Sequence, residues 1–152
     1  MASDIKFIWS QDFLEGDLQL NNGDLLREDG LTTAILISLF TDARADEDDE
    51  IDDKNDKRGW WGDLVSPTPI GSKLWQFDRS KTTQTTITKF KQAIEDCLQW
   101  LIDDDVAEKI DVNVYRSGTI GNDQLKFEVK IYQSNGNQTA LKFDDLWKME
   151  VN

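Results

Sequence analysis

Thirty Asp and Glu side chains and no histidine decide what chemistry this sequence of 152 residues can attempt. Ser-His and Cys-His nucleophiles and histidine-bound metals are excluded, because imidazole is the usual proton carrier near neutral pH and a leading metal ligand. Catalysis would have to run on carboxylates, Lys or Tyr. A glycosidase needs two carboxyl groups held about 5 to 9 Å apart, and among so many acids candidate pairs are too plentiful to single out a site. The densest run, Asp46 to Asp53, places seven carboxylates in eight positions. A calcium loop would need glycine at its sixth place for the sharp turn. Counted from Asp46 that place holds Ile51, and counted from Asp48 it holds Asp53. The run therefore reads as a mobile, solvated loop at about 45–57, with weak cation or partner binding as the other reading. Gly71-Ser72-Lys73 matches only the tail of a phosphate-binding loop, since Pro67 stands where the first glycine belongs. Asp103-Asp104-Asp105 reads as a solvated helix end or, less simply, a metal site. The single Cys97 forms no internal disulfide and has no base to activate it, so it reads as a small core residue. No catalytic residue, metal or cofactor is expected.

Arg58-Gly59-Trp60-Trp61-Gly62-Asp63 is a different kind of feature. Two adjacent tryptophans between glycines follow the acidic run and precede the stiff Ser66-Pro67-Thr68-Pro69 strap. Two readings stand. One Trp packs on the core while the glycines allow tight turns, or the pair forms a protein-interaction surface, where Trp and Arg are enriched.

The elements that must position these residues follow from periodicity. Ile5 to Trp9 reads as a strand, and Leu18, Leu20, Leu25 and Leu26 flank Asn22-Gly23 as a hairpin. Asp29 is the expected N-cap of a helix from Leu31 to Arg44. A second helix from Thr82 to Asp104 repeats Ile87, Phe90, Ile94, Cys97, Leu98 and Leu101 at spacings of three and four. Ile110 to Arg116 and Leu125 to Ile131 alternate as half-buried strands, and a third run passes through Leu141 and Phe143 towards Trp147. The expected fold class is α+β: an N-terminal strand and hairpin, two main helices and a C-terminal antiparallel sheet, in one domain spanning 1–152.

A charge of −13 opposes binding to nucleic acid or an anionic membrane surface. Residues 1–59 carry 16 acidic and 6 basic side chains, hence most of that charge. Met1 to Trp9 lacks a signal-peptide core, and the longest apolar run, Ala34 to Leu39, falls short of the roughly 20 residues of a membrane span. Synthesis in the cytosol is expected.

Taken in order, Gly23-Asp24-Leu25, Asp29-Gly30-Leu31 with Ala34-Ile35, the Arg58 to Asp63 block, Ile70 to Trp75 and Cys97 to Leu101 resemble the Mu-like phage baseplate protein family over roughly residues 5 to 116. That family looks related to the small, sometimes "lysozyme-like", wedge protein of contractile tails, with counterparts in type VI secretion and pyocin machines. The resemblance implies a non-enzymatic wedge subunit, present in six copies, clasped by larger wedge proteins around the tail hub or tube. It also implies a sheath initiator whose sheet pairs with a strand of the sheath protein. The virion tail baseplate would be its location, after synthesis in the host cytoplasm. The resemblance carries over Arg58, Gly59, Trp60, Trp61, Gly62, Asp63 and Gly71 as partner-binding positions. A sheet edge at Val112, Val114, Phe127 and Val129 would serve strand pairing. The wider group's Glu-Pro-Arg grip after the long helix is absent, since that region reads Asp103-Asp104-Asp105-Val106-Ala107-Glu108. A carboxylate-based peptidoglycan glycosidase and a cytosolic protein-binding adaptor are the alternatives.

Overall fold

Strict alternation of apolar and polar residues beyond residue 106 produces a three-stranded antiparallel sheet in the computed structural model, which describes residues 4–10, 15–25, 27–28, 30–77, 80–119 and 122–148. Its strands are β7 (Ala107–Thr119), β8 (Asn122–Gln133) and β9 (Gln138–Lys148), in spatial order β7-β8-β9. Along β8, Leu125, Phe127, Val129 and Ile131 are buried, while Lys130 on the opposite face is exposed. The Ser134 to Asn137 turn closes with the Gln133 amide donating to Asn137 at 2.8 Å and the Gly136 amide to Gln133 at 2.9 Å.

Among the described residues, six short strands and three α-helices precede the sheet. They are β1 (Asp4–Ile5), β2 (Phe7–Ser10), β3 (Glu15–Leu18), β4 (Leu20–Asn21), β5 (Asp24–Leu25), β6 (Arg27–Glu28), α1 (Leu31–Phe40), α2 (Gln84–Leu98) and α3 (Trp100–Asp103). The strands pair β1 with β6, β2 with β3 and β4 with β5, all antiparallel. Asn22 at φ 51° and Gly23 at φ 84° make the β4–β5 turn, as the Asn-Gly pair requires. The fold is α+β. Leu26 and Asp29 of the sequence reading lie outside the described residues.

Three expectations need correction. First, α1 stops at Phe40 rather than Arg44, and its N-cap is Gly30, at φ 82°, rather than Asp29. The backbone beyond Thr41 is diverted into other bonds. The Ser72 amide donates to Thr41 and the Ala43 amide to Ser72, both at 2.9 Å, and the Ala45 amide donates to Lys57 at 2.8 Å. Second, the Thr82–Asp104 helix is two segments that meet at Gln99, with Thr83 Oγ1 capping α2 through the Thr86 amide at 3.2 Å. Third, Phe127 and Val129 do not sit at a sheet edge. They belong to the central strand β8, where Phe127 is paired to Val114 on one side and to Phe143 on the other. The chain reverses after Gln133 and lays β9 against β8, so the outer strands are β7, which carries Val112 and Val114, and β9.

Helices and sheet meet through aromatic rings. Phe77 lies edge-on to Phe90 at 5.6 Å, Phe90 edge-on to Phe127 at 5.6 Å, Phe127 stacks on Phe143 at 4.6 Å, and Phe143 meets Phe40 at 5.7 Å. The series links the 3₁₀ turn Leu74–Phe77, α2, the sheet and α1. Phe127→Ala is expected to cost about 3 to 5 kcal/mol in urea unfolding, because the cavity lies where neighbours packed from both helices and sheet cannot collapse. A loss below about 1 kcal/mol would show that the ring is not central.

Candidate functional site

The Arg58 to Asp63 block crosses the outside of α1's C-terminal connection, and its unusual residues are explained by close approaches. Arg58 takes φ 47° and Gly59 φ 105°. A Cβ on Gly59 would stand 2.9 Å from Arg44 Cβ. The Arg58 guanidinium lies 4.6 Å above the Trp75 ring and Nη1 donates to Asp42 at 2.9 Å. Trp75 is itself anchored by its Nε1 donating to the Ala43 carbonyl at 2.8 Å. The Trp60 indole folds over Gly62, where any Cβ would come within 2.1 Å of ring carbons. Asp63 accepts the Ile70 amide at 3.1 Å, tying the block to the proline strap. Gly71, at φ 102°, passes the Thr41 carbonyl so closely that a Cβ would lie 2.5 Å from its oxygen.

The seven partner-binding positions named from the sequence thus divide into two groups. Arg58, Gly59, Gly62, Asp63 and Gly71 hold the backbone of the block. Trp60 and Trp61 face outward, 37% and 75% exposed, with ring centroids 5.4 Å apart. Leu64 and Val65, which the sequence reading passed over, are 89% and 83% exposed and extend the same short segment. Two apolar residues placed between a glycine turn and a Pro-containing strap were the available signal. Four large apolar side chains within Trp60 to Val65 stand in water, which is costly for a lone domain.

The acidic run beside this block has no helix or strand, but Asp46, Glu47 and Asp49 each meet a lysine. Lys73 bonds Asp46 and lies 2.7 Å from Asp49, Gln76 donates to Asp49 at 2.9 Å, and Lys57 pairs with Glu47. Asp46, Asp48 and Asp49 each bring a carboxylate oxygen within 4.8 Å of the others. The Lys73 ammonium on two of these groups does what a cation would do there. Burial pushes the Asp49 carboxyl up, yet hydrogen bonds from Lys73, Gln76 and the Asp46 amide outweigh it and hold it below its ordinary value. Burial pushes Lys73 down, but bonds to Asp46 and Asp49 outweigh it and raise it. Cys97 behaves as a core residue: burial, with Asp96 nearby, pushes its thiol up to about 12, and Sγ donates to the Ile94 carbonyl at 3.2 Å. Among the described residues no helix is long and apolar enough to cross a membrane.

Comparison with known proteins finds relatives along most of the chain. A family model described as "Phage protein GP46" matches residues 31–138, from the start of α1 to the first residue of β9. "Baseplate protein gp46" of Escherichia phage Mu is 42% identical over 100 residues, covering 65% of this chain and 68% of the relative. "Mu-like prophage FluMu protein gp46" of Haemophilus influenzae is 40% identical over 111 residues, covering 72% of this chain and 74% of the relative. The family match starts later than the span of about 5 to 116 read from the sequence and runs further into the sheet.

The Lys73 cluster gives a pH dependence with a definite sign. Asp49 titrates lower when folded, so its contribution is complete above the ordinary carboxylate value of 3.8 and is lost as pH falls through the lower folded value. Lys73 titrates higher when folded, so its contribution is complete below 10.5 and is lost as pH rises through the higher folded value. Lys73→Met is expected to cost about 1 kcal/mol at pH 7 and to flatten the acid limb of a stability–pH curve. An unchanged acid limb would show that the cluster does not hold the loop.

Proposed function

Because this chain belongs to the phage protein GP46 family, we propose that it is a structural subunit of a phage tail baseplate, of the wedge type, joining larger wedge proteins and starting sheath assembly. The observation that carries the baseplate role is the 42% identity to a protein named for that structure. In this reading the chain is made in the host cytoplasm, performs no catalysis, and enters the virion tail in six copies around the hub or tube.

Two features support the finer mechanism. The Trp60–Trp61 pair, with Leu64 and Val65, is an apolar surface on a backbone fixed by the Arg58–Trp75 and Asp63–Ile70 contacts. A fixed presentation lowers the ordering cost of docking, which suits a contact with a large wedge protein. The second feature is β7, an outer strand of 13 residues that, among the described strands, pairs with β8 alone. An outer strand can accept a neighbour's strand by main-chain bonding, the mode by which a sheath subunit would add.

Co-expression with the larger wedge proteins encoded by neighbouring tail genes tests the first feature. Trp60→Ala with Trp61→Ala is expected to weaken the complex by at least about 2 kcal/mol, roughly thirtyfold in Kd. Failure to form any complex, or an unaffected complex with the double variant, would overturn the Trp surface. Hydrogen exchange of the same complex with sheath protein added is expected to show new protection in β7. Protection confined to other elements would remove strand pairing at β7.

A further inference from the structure

The proline strap, α1 and the α2–α3 junction line an open groove of about 650 Å³. Its floor is apolar: Ile37, Pro69, Ile70 and Trp100 line it. Helix α1 carries apolar residues all round and no charged one, a pattern that belongs in full burial, yet Ile37 is 43% exposed over this groove. The floor is preformed, because Trp100 Nε1 donates to Ser38 Oγ at 3.0 Å and Ser38 Oγ donates to the Ala34 carbonyl at 2.9 Å.

The rim carries one sign of charge. Asp96, Asp103 and Asp104 line the groove, and among the described residues no Lys or Arg does. Asp96 accepts from neutral Gln92 at 2.8 Å and Asp103 from neutral Gln99 at 3.1 Å, so these bonds fix the carboxylates without compensating their charge. The contrast with the acidic run is direct, since there Lys57 and Lys73 answer the carboxylates from within the chain. An apolar floor under an uncompensated acidic rim is complementary to an apolar side chain flanked by cations. A second copy of this chain, with its own charge of −13, is a poor electrostatic match.

We propose that this groove docks an amphipathic segment of a partner protein, seating an apolar side chain over Ile37 and Trp100 while Lys or Arg residues meet Asp96, Asp103 and Asp104. The proposal rests on the baseplate reading only for the source of that partner, and the lining of the groove includes none of Trp60, Trp61, Leu64 and Val65.

The test uses the isotope-labelled full chain and a synthetic amphipathic Leu/Lys peptide, with the Leu/Glu peptide as control. Leu/Lys binding is expected to shift resonances of Ala34, Ile37 and Trp100. Asp103→Asn with Asp104→Asn is expected to weaken binding about tenfold, whereas removing equal charge by Asp52→Asn with Asp53→Asn changes it less than about twofold. Shifts centred on residues 46–53, equal losses in both variants, equal binding of the Leu/Glu peptide or no binding would each overturn the groove. In the co-expressed tail complex, the Ile37→Ser, Asp103→Asn, Asp104→Asn variant is expected to lose a partner. If the complex forms unchanged, the groove is not a contact while the baseplate reading stands. If the groove binds the Leu/Lys peptide as described but the wild-type chain joins no tail complex, the groove stands and the baseplate reading fails.

Discussion

Phe127 is the residue on which the other parts converge. Its ring stacks on Phe143 and meets Phe90 edge-on, so one side chain of the central strand holds β9 and α2 together, with α1 attached through Phe40. Packing of this kind is non-additive, because each ring is the wall of its neighbour's cavity. Once the sheet and two helices are fixed in this way, residues 41–77 cross the remaining surface as loops and 3₁₀ turns.

That crossing is held by Leu74 and Phe77, which pack on the main core, and by polar bonds to the end of α1 and the residues just after it. Ser72 donates its hydroxyl to the Leu39 carbonyl at 2.6 Å and exchanges backbone bonds with Thr41 and Ala43. Gly71 is required beside it because nothing larger passes the Thr41 carbonyl. From this anchor the strap leads back through Ile70 and Asp63 to the tryptophans. The Arg-Gly-Trp-Trp-Gly-Asp block is thus mostly a frame, and the tryptophans are what it presents.

Charge is distributed by the same logic. Carboxylates within the loop meet Lys57 and Lys73, which stabilises a segment with no apolar surface to bury. At the α2–α3 junction, Asp96 and Asp103 accept from the neutral side chains of Gln92 and Gln99. One residue type thus meets cations in the loop and neutral amides at the junction.

Periodicity made much of this architecture legible. Period-two alternation gives β7 and β8, spacings of three and four give Phe90, Ile94, Leu98 and Leu101 their burial, and Asn22-Gly23 gives its turn, because each of these depends on neighbours along the chain. The absence of histidine and the charge of −13 were likewise properties of the sequence alone and narrowed the chemistry before any fold was known. Only the tertiary structure decided where α1 stops, since Ser72 captures backbone that would otherwise extend the helix. It also decided that Phe127 and Val129 lie in the central strand, that Arg58 answers Asp42 and Trp75, and that Lys73 answers Asp46 and Asp49. Each of those outcomes is a contact between residues distant in sequence, and no local spacing encodes it.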